Sequence, residues 1–224
     1  MARPKVILFD VNETLLDLQP MKEAITKLLG GGPETARLWF TTLLQHSQVM
    51  TLADRFADFS EIGAACLRMV AKNQGVDLSE DAAKKAVAPM RSLPPHPDVA
   101  VALEHLRDAG YRLAPLTNSS KAAVADQMQN AGLTEYFEVL LSVEDVGMYK
   151  PHGHVYRWAA RRVGADVSEC LLVAAHGWDV AGAAWAGMKT AFVARPGQQV
   201  FSLGPAPDIN ISSLAELPGQ VERM

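Results

Sequence analysis

The first apolar run of the chain, Val6-Ile7-Leu8-Phe9, ends on an acid, Asp10, with Asn12 and Thr14 close behind. Other apolar runs also end on residues able to do chemistry. Leu113–Leu116 leads to Thr117-Asn118-Ser119-Ser120, Phe137–Leu141 to Ser142 and then Lys150-Pro151, and Cys170–Ala174 to His176-Gly177-Trp178-Asp179. In open α/β sheets ligands bind beyond the carboxyl ends of the strands, so these residues are candidates to meet in one cleft. Together they supply two carboxylates, a lysine and a hydroxyl and amide cluster. Each also has a structural account. Asp10 and Asn12 suit side-chain turns, and Thr117–Ser120 suits an N-cap for a helix starting at Lys121. Lys150 suits a solvated loop, Asp179 the first turn of a helix, and His176 a hydrogen-bonded structural position. Joint placement at one sheet edge argues for a site.

The elements that must position them follow from the hydrophobic pattern. Strand-length runs at Val6–Phe9, Leu113–Leu116, Phe137–Leu141, Cys170–Ala174, Thr190–Val193 and Asp208–Ile211 alternate with helical stretches, which implies parallel βαβ units and an α/β, Rossmann-like core. Between residues 18 and 93 the strand signal disappears. Met21–Leu29, Pro33–Met50, Phe59–Asn73 and Glu80–Met90 read as amphipathic helices, with Leu38, Trp39, Leu43 and Leu44 striping the second. The expected organisation is a core of residues 1–17 and 94–224 with a helical cap domain, 18–93, inserted into it. The proline-rich Leu93–Pro97 stiffens the return, and Asp98 is expected in the first turn of a helix that stops at Gly110.

Composition narrows the function. With 224 residues, 49% of them hydrophobic, the chain can bury a substantial core, and a net charge of −4 without a Lys/Arg block argues against nucleic acid and anionic membranes as partners. Cys66 and Cys170 have no metal or redox spacing, and no apolar stretch reaches the roughly 20 residues of a membrane span. The start of the chain runs straight into a strand, unlike a signal peptide, so a cytoplasmic location is expected.

In order, "FDVNETLLD" (9–17), "LTNSS" (116–120), "YKP" (149–151) and "HGWDVAGA" (176–183) resemble the four motifs of the haloacid dehalogenase superfamily. The helical insertion falls where that family carries its cap, and "SVEDVGMYKPHGHVY" points to the L-2-haloacid dehalogenase branch. The resemblance implies a cofactor-independent hydrolase in which Asp10 attacks a small anionic 2-halocarboxylate, forming an ester that water hydrolyses. It also implies roles for the neighbours. Lys150 keeps Asp10 ionised, Thr14 and Asn118 position it, Thr117 receives the substrate carboxylate, Asp179 orients or activates water, and Tyr156 matches a family tyrosine.

Asn12 now has a meaning. Phosphatase members use a second Asp there to protonate the departing alkoxide, a role worth about 10²–10⁴ in rate. Asn cannot donate that proton, whereas a halide leaves without one. Three positions depart from the dehalogenase pattern: Phe40 stands where the cap arginine is expected, and Ala174 and His176 replace a serine and an asparagine. Arg37 lies one turn from Phe40, on what helix geometry suggests is a different azimuth. His176 could act as a base, joined across the cleft by His46. Two other functions use the same residues: a phosphatase with Mg²⁺ between Asp10 and Asp179, and a non-catalytic anion-binding protein. The resemblance also makes a homodimer plausible.

Overall fold

The computed structural model describes residues 3–224; Met1 and Ala2, the start of the expected core segment, lie outside the described residues. Six strands form one sheet: β1 (Val6–Phe9), β2 (Arg112–Thr117), β3 (Leu141–Ser142), β4 (Cys170–Ala174), β5 (Lys189–Val193) and β6 (Ile209–Ile211). All pairings are parallel and the order is β3-β2-β1-β4-β5-β6. β1 and β4 are buried along their whole length, as strands covered on both faces must be. Successive strands β1, β2 and β3 run to one side, and β4 returns to the other side of β1. The sheet therefore has its switch point between β1 and β4, where Asp10 and His176 emerge.

The third run is shorter as a strand than its pattern suggests. Only Leu141 and Ser142 pair, with Leu116 and Thr117. Phe137, Val139 and Leu140 are half-buried against the core, and the Phe137 ring packs on Phe9 at 6.3 Å. Apolar packing alone cannot reveal where the hydrogen-bond ladder begins.

Residues 18–93 contain no strand. Helices α1 (Gln19–Leu29), α2 (Pro33–Leu52), α3 (Phe59–Asn73) and α4 (Glu80–Val87) pack on one another, α2 and α3 being joined by the Trp39 indole N–H donating to the Gly63 carbonyl at 2.9 Å. The fourth helix stops before Met90. Ala88–Ser92 tightens into a 3₁₀ turn at Pro89, which has no N–H to continue the helical ladder. The chain enters and leaves this segment side by side: Asp17 N–H donates to Pro94 O and His96 N–H to Leu15 O.

The core helices are α5 (Val99–Asp108), α6 (Lys121–Asn130), α7 (Gly153–Arg162), α8 (Gly177–Ala186) and α9 (Leu217–Glu222). Two residues expected at helix starts, Ser120 as a cap and Asp98 in a first turn, have those roles taken over by tertiary contacts. Ser120 sits at the N-cap of α6 without a capping side-chain bond, and the Lys121 N–H instead donates to Glu144 Oε2 at 2.7 Å. Asp98 lies just before α5 rather than in its first turn, and its carboxylate receives Arg195, the Ser213 hydroxyl and the Leu214 N–H. Arg195 also donates to Thr14 O, tying the loop after β1 to the far side of the sheet. Among the described residues no helix is long and apolar enough to cross a membrane.

Candidate active site

The loop after β1 carries Asp10 into the switch point, where its two oxygens are held differently. Oδ1 accepts from Lys150 Nζ at 2.8 Å; Oδ2 accepts from the Thr14 hydroxyl at 2.7 Å and lies 3.0 Å from His176 Nδ1. Thr14 Oγ1 in turn accepts the Ala175 N–H at 2.9 Å, which locks the β1 loop onto the end of β4.

Lys150 is 1% exposed, which overturns a solvated-loop reading. Its three N–H groups are fully used, on Asp10 Oδ1, Asp179 Oδ2 (2.7 Å) and the Leu116 carbonyl (2.9 Å). Asn118 sets its backbone, with Oδ1 accepting the Lys150 N–H at 3.1 Å. Asp179, fully buried in the first turn of α8, has both oxygens engaged: the second accepts the Tyr156 hydroxyl at 2.5 Å. Thr117 is turned inward, its hydroxyl accepting the Ser119 N–H at 3.1 Å.

His176 bridges two carboxylates. Its Nδ1 faces Asp10 and its Nε2 lies 2.8 Å from Glu13 Oε2. The ring stacks on Trp178 at 5.2 Å and lies 6.2 Å from Phe40. Glu13 also pairs with Lys22 and accepts from Gln198 Nε2 at 3.1 Å. The result is a chain of alternating charges, Asp179, Lys150, Asp10, His176, Glu13 and Lys22.

The titrations follow from that alternation. Burial alone would push the Asp10 carboxyl up, but Lys150 and His176 outweigh it and hold it well below the usual carboxylate range. Burial would strip Lys150 of its proton; Asp10 and Asp179 keep it charged and raise it. Asp179 is raised by its own burial and by the nearby Asp10 charge. For His176, burial favours the neutral ring, yet the bonds to Asp10 and Glu13 prevail and lift it to about 9. It is an imidazolium at neutral pH, with a donor facing each carboxylate.

Asn12 is an internal amide rather than a turn former. Its Oδ1 accepts from Gln127 Nε2 at 3.0 Å and its Nδ2 lies 3.4 Å from Ser119 Oγ. An amide held this way has no proton to give a leaving group. The Mg²⁺ reading also meets an obstacle: an ammonium bonds both carboxylates that would have to hold the ion. Among the described residues no group of three or more His, Cys, Asp or Glu side chains is placed to bind a metal.

A cavity of about 1010 Å³ opens between the helical segment and the core, lined among others by Glu13, Lys22, Arg37, Phe40, His176 and Trp178. Arg37 shares this face with Phe40, correcting the expected azimuth: residues three apart on a helix differ by only about 60°. His46 is not brought to the cavity. It lies on another azimuth of α2, half-buried, with Nδ1 2.9 Å from Thr42 O. Sequence reasoning passed over Glu13, Lys22 and Gln127. Gln127 carried a signal, falling on the apolar face with Ala123, Val124 and Met128. Glu13 carried none beyond proximity to Asp10, since its left-handed backbone, φ 64°, is invisible in the letters.

The chain is similar to known proteins over nearly its whole length. A family model described as haloacid dehalogenase-like hydrolase matches residues 4–187. An (S)-2-haloacid dehalogenase from Pseudomonas sp. (strain YL) is 31% identical over 94% of this chain and 91% of its own length. Haloacetate dehalogenase H-2 from Moraxella sp. (strain B) is 31% identical over 94% and 95%. The structure of L-2-haloacid dehalogenase from Xanthobacter autotrophicus with chloropropionic acid covalently bound superposes with a TM-score of 0.92, at 26% identity and 99% coverage of both chains.

Proposed function

The chain belongs to the haloacid dehalogenase-like hydrolases, and from that membership we propose that it cleaves the carbon–halogen bond of a small 2-halocarboxylate with Asp10 as nucleophile. The observation that carries this reading is the state of Asp10: a buried carboxylate, kept ionised by Lys150, at the switch point of the sheet. An Asp10 oxygen attacks C2, the halide leaves with the bonding pair, and a covalent ester forms. Water then attacks the ester carbonyl, releasing the 2-hydroxy acid.

Lys150 and Thr14 hold the nucleophile, Asn118 places Lys150, and Asp179 with Tyr156 fixes the ammonium from behind. Residues 18–93 act as a cap whose first two helices wall the cavity that reaches His176, the neighbour of Asp10. Lys22, Arg37 and Lys27 line that cavity, and although Glu13 and Glu23 line it too, the cations suit an anionic substrate. No cofactor is required, because a halide departs without proton or metal assistance.

The test is halide release from chloroacetate and L-2-chloropropionate by wild type and Asp10→Asn, with and without EDTA. Release that survives EDTA and disappears in Asp10→Asn is expected. Absence of release from every 2-haloacid by a folded wild type would exclude the reading.

A further inference from the structure

The cavity between α1, α2 and the core is far larger than chloroacetate requires. At about 1010 Å³ it matches the upper end of pockets that hold drug-sized ligands. Its floor includes the His176 ring, whose Nδ1 is 3.0 Å from the nucleophile. Phe40 and Trp178 make an apolar stretch beside that ring, their centroids 6.2 Å and 5.2 Å from it. Charge on the walls is arranged unevenly. The two acids there are engaged: Glu13 holds His176, Lys22 and Gln198, and Glu23 accepts from Gln19 Nε2 at 2.9 Å. Lys27 on α1 and Arg37 on α2 are exposed on the same walls, and among the described residues neither has a carboxylate partner. Lys27 suits the last turn of its helix, where the dipole favours a cation. Arg37 has no such account, because it lies one turn from the N-terminus of α2.

We propose that the preferred substrates are 2-halo dicarboxylates, whose second carboxylate is read by Arg37 with support from Lys27. This deepens the 2-halocarboxylate reading and rests on it. C2 stays at Asp10, the methylenes run past Phe40 and Trp178, and the distal carboxylate meets the guanidinium. Arg37 precedes Phe40 by three residues, about 4.5 Å along the α2 axis, so a few methylenes separate the two ends of such a molecule. A guanidinium presents paired N–H donors that match the two oxygens of a carboxylate, which gives Arg37 the larger share of the recognition. The chemistry at C2 is unchanged: an Asp10 oxygen displaces the halide, and hydrolysis of the ester releases a 2-hydroxy dicarboxylate. Arg37 and Lys27 touch only the distal end, so they determine specificity and take no part in bond making. A monocarboxylate of the same length leaves both cations in water, and the discrimination is therefore that of exposed ion pairs, graded rather than absolute.

The experiment compares (S)-2-bromoadipate with (S)-2-bromohexanoate, which share chain length and leaving group and differ only in the terminal carboxylate, with L-2-chloropropionate as reference. Halide release gives kcat/KM for wild type, Arg37→Met and Arg37→Met/Lys27→Met. In wild type the dicarboxylate should be preferred about 5- to 30-fold at low ionic strength, the gain of one or two exposed ion pairs, and the preference should shrink as salt is added. Most of it should be lost in Arg37→Met and the rest in the double variant. The quantity read is the ratio of the two substrates within each protein, so a general loss of activity does not imitate the effect. Equal kcat/KM for the two acids in wild type, or a ratio that neither salt nor the double substitution changes, would overturn the assignment. Turnover of L-2-chloropropionate alone would overturn it too, since the cavity would then not take the chain, while the Asp10 reading would stand. If no halide is released from any of the three, the Asp10 reading itself fails and takes this one with it.

Discussion

Lys150 illustrates how much one residue can decide. Two carboxylates and a carbonyl surround its ammonium, and removing it leaves Asp10 and Asp179 close together without their shared cation. Lys150→Met should therefore destabilise the fold by about 3–5 kcal/mol, the usual cost of breaking a buried pair from one side. Urea denaturation checks this value. The double variant Lys150→Met/Asp179→Asn should recover part of the loss, since Asp179 is then neutral and Asp10 keeps His176 as its partner. Activity should fall steeply in both, because Asp10 loses the ammonium that does most to hold it ionised and keeps only His176. Asn12 makes the complementary point. One atom separates it from an aspartate, and the Gln127 contact shows that the amide belongs to a buried hydrogen-bond pair as well as lacking a proton to donate.

At the scale of the element, α8 delivers both Asp179 and His176, and it does so by approaching its neighbours closely. A Cβ at Gly182 would fall 2.5 Å from Pro151 Cβ and 2.9 Å from the Tyr156 hydroxyl. Gly182→Ala should push α8 away from the Lys150-Pro151 turn, with an overpacking cost of about 1–3 kcal/mol. A thermal melt of Gly182→Ala against Ala183→Gly, which alters the same helix without adding a clash, separates the steric effect from helix propensity. Gly177 is constrained in the same way, its Cβ position lying 2.3 Å from the Gln199 carbonyl. The loop that presents Gln198 to Glu13 thus packs directly on the start of α8. Glycines in the fourth motif are spacing devices as much as sequence markers.

The whole molecule inherits a pH dependence from the charge chain. His176 rises from 6.5 to about 9 on folding, so its contribution to stability is complete below pH 6.5 and is lost as pH rises through about 9. Asp10 and Glu13 shift the other way. Their contributions are present above the ordinary carboxylate range and vanish as acid protonates them. Stability should therefore crest between the two limbs. Urea denaturation from about pH 2 to 10 should show the alkaline fall in wild type and lose it in His176→Gln, while an acid limb below the ordinary carboxylate range persists.

The sequence by itself determined the α/β class, the position of each buried strand to within a few residues, and the edge of the sheet where the chemistry gathers. These depend on local periodicity and on the rule that polar residues after buried strands meet at one end. The motif residues Asp10, Thr14, Asn118, Lys150, Tyr156, His176 and Asp179 do converge there. Only the tertiary structure decided how they are wired. That Glu13 rather than His46 faces His176 and that Glu144 rather than Ser120 satisfies the start of α6 are contacts between segments up to 163 residues apart. Such contacts follow from the packing of whole elements and from backbone states such as the left-handed Glu13. Periodicity carries no information about which side chain will fill a shared space, and charge in a polar loop looks the same whether it ends in water or against a buried imidazolium.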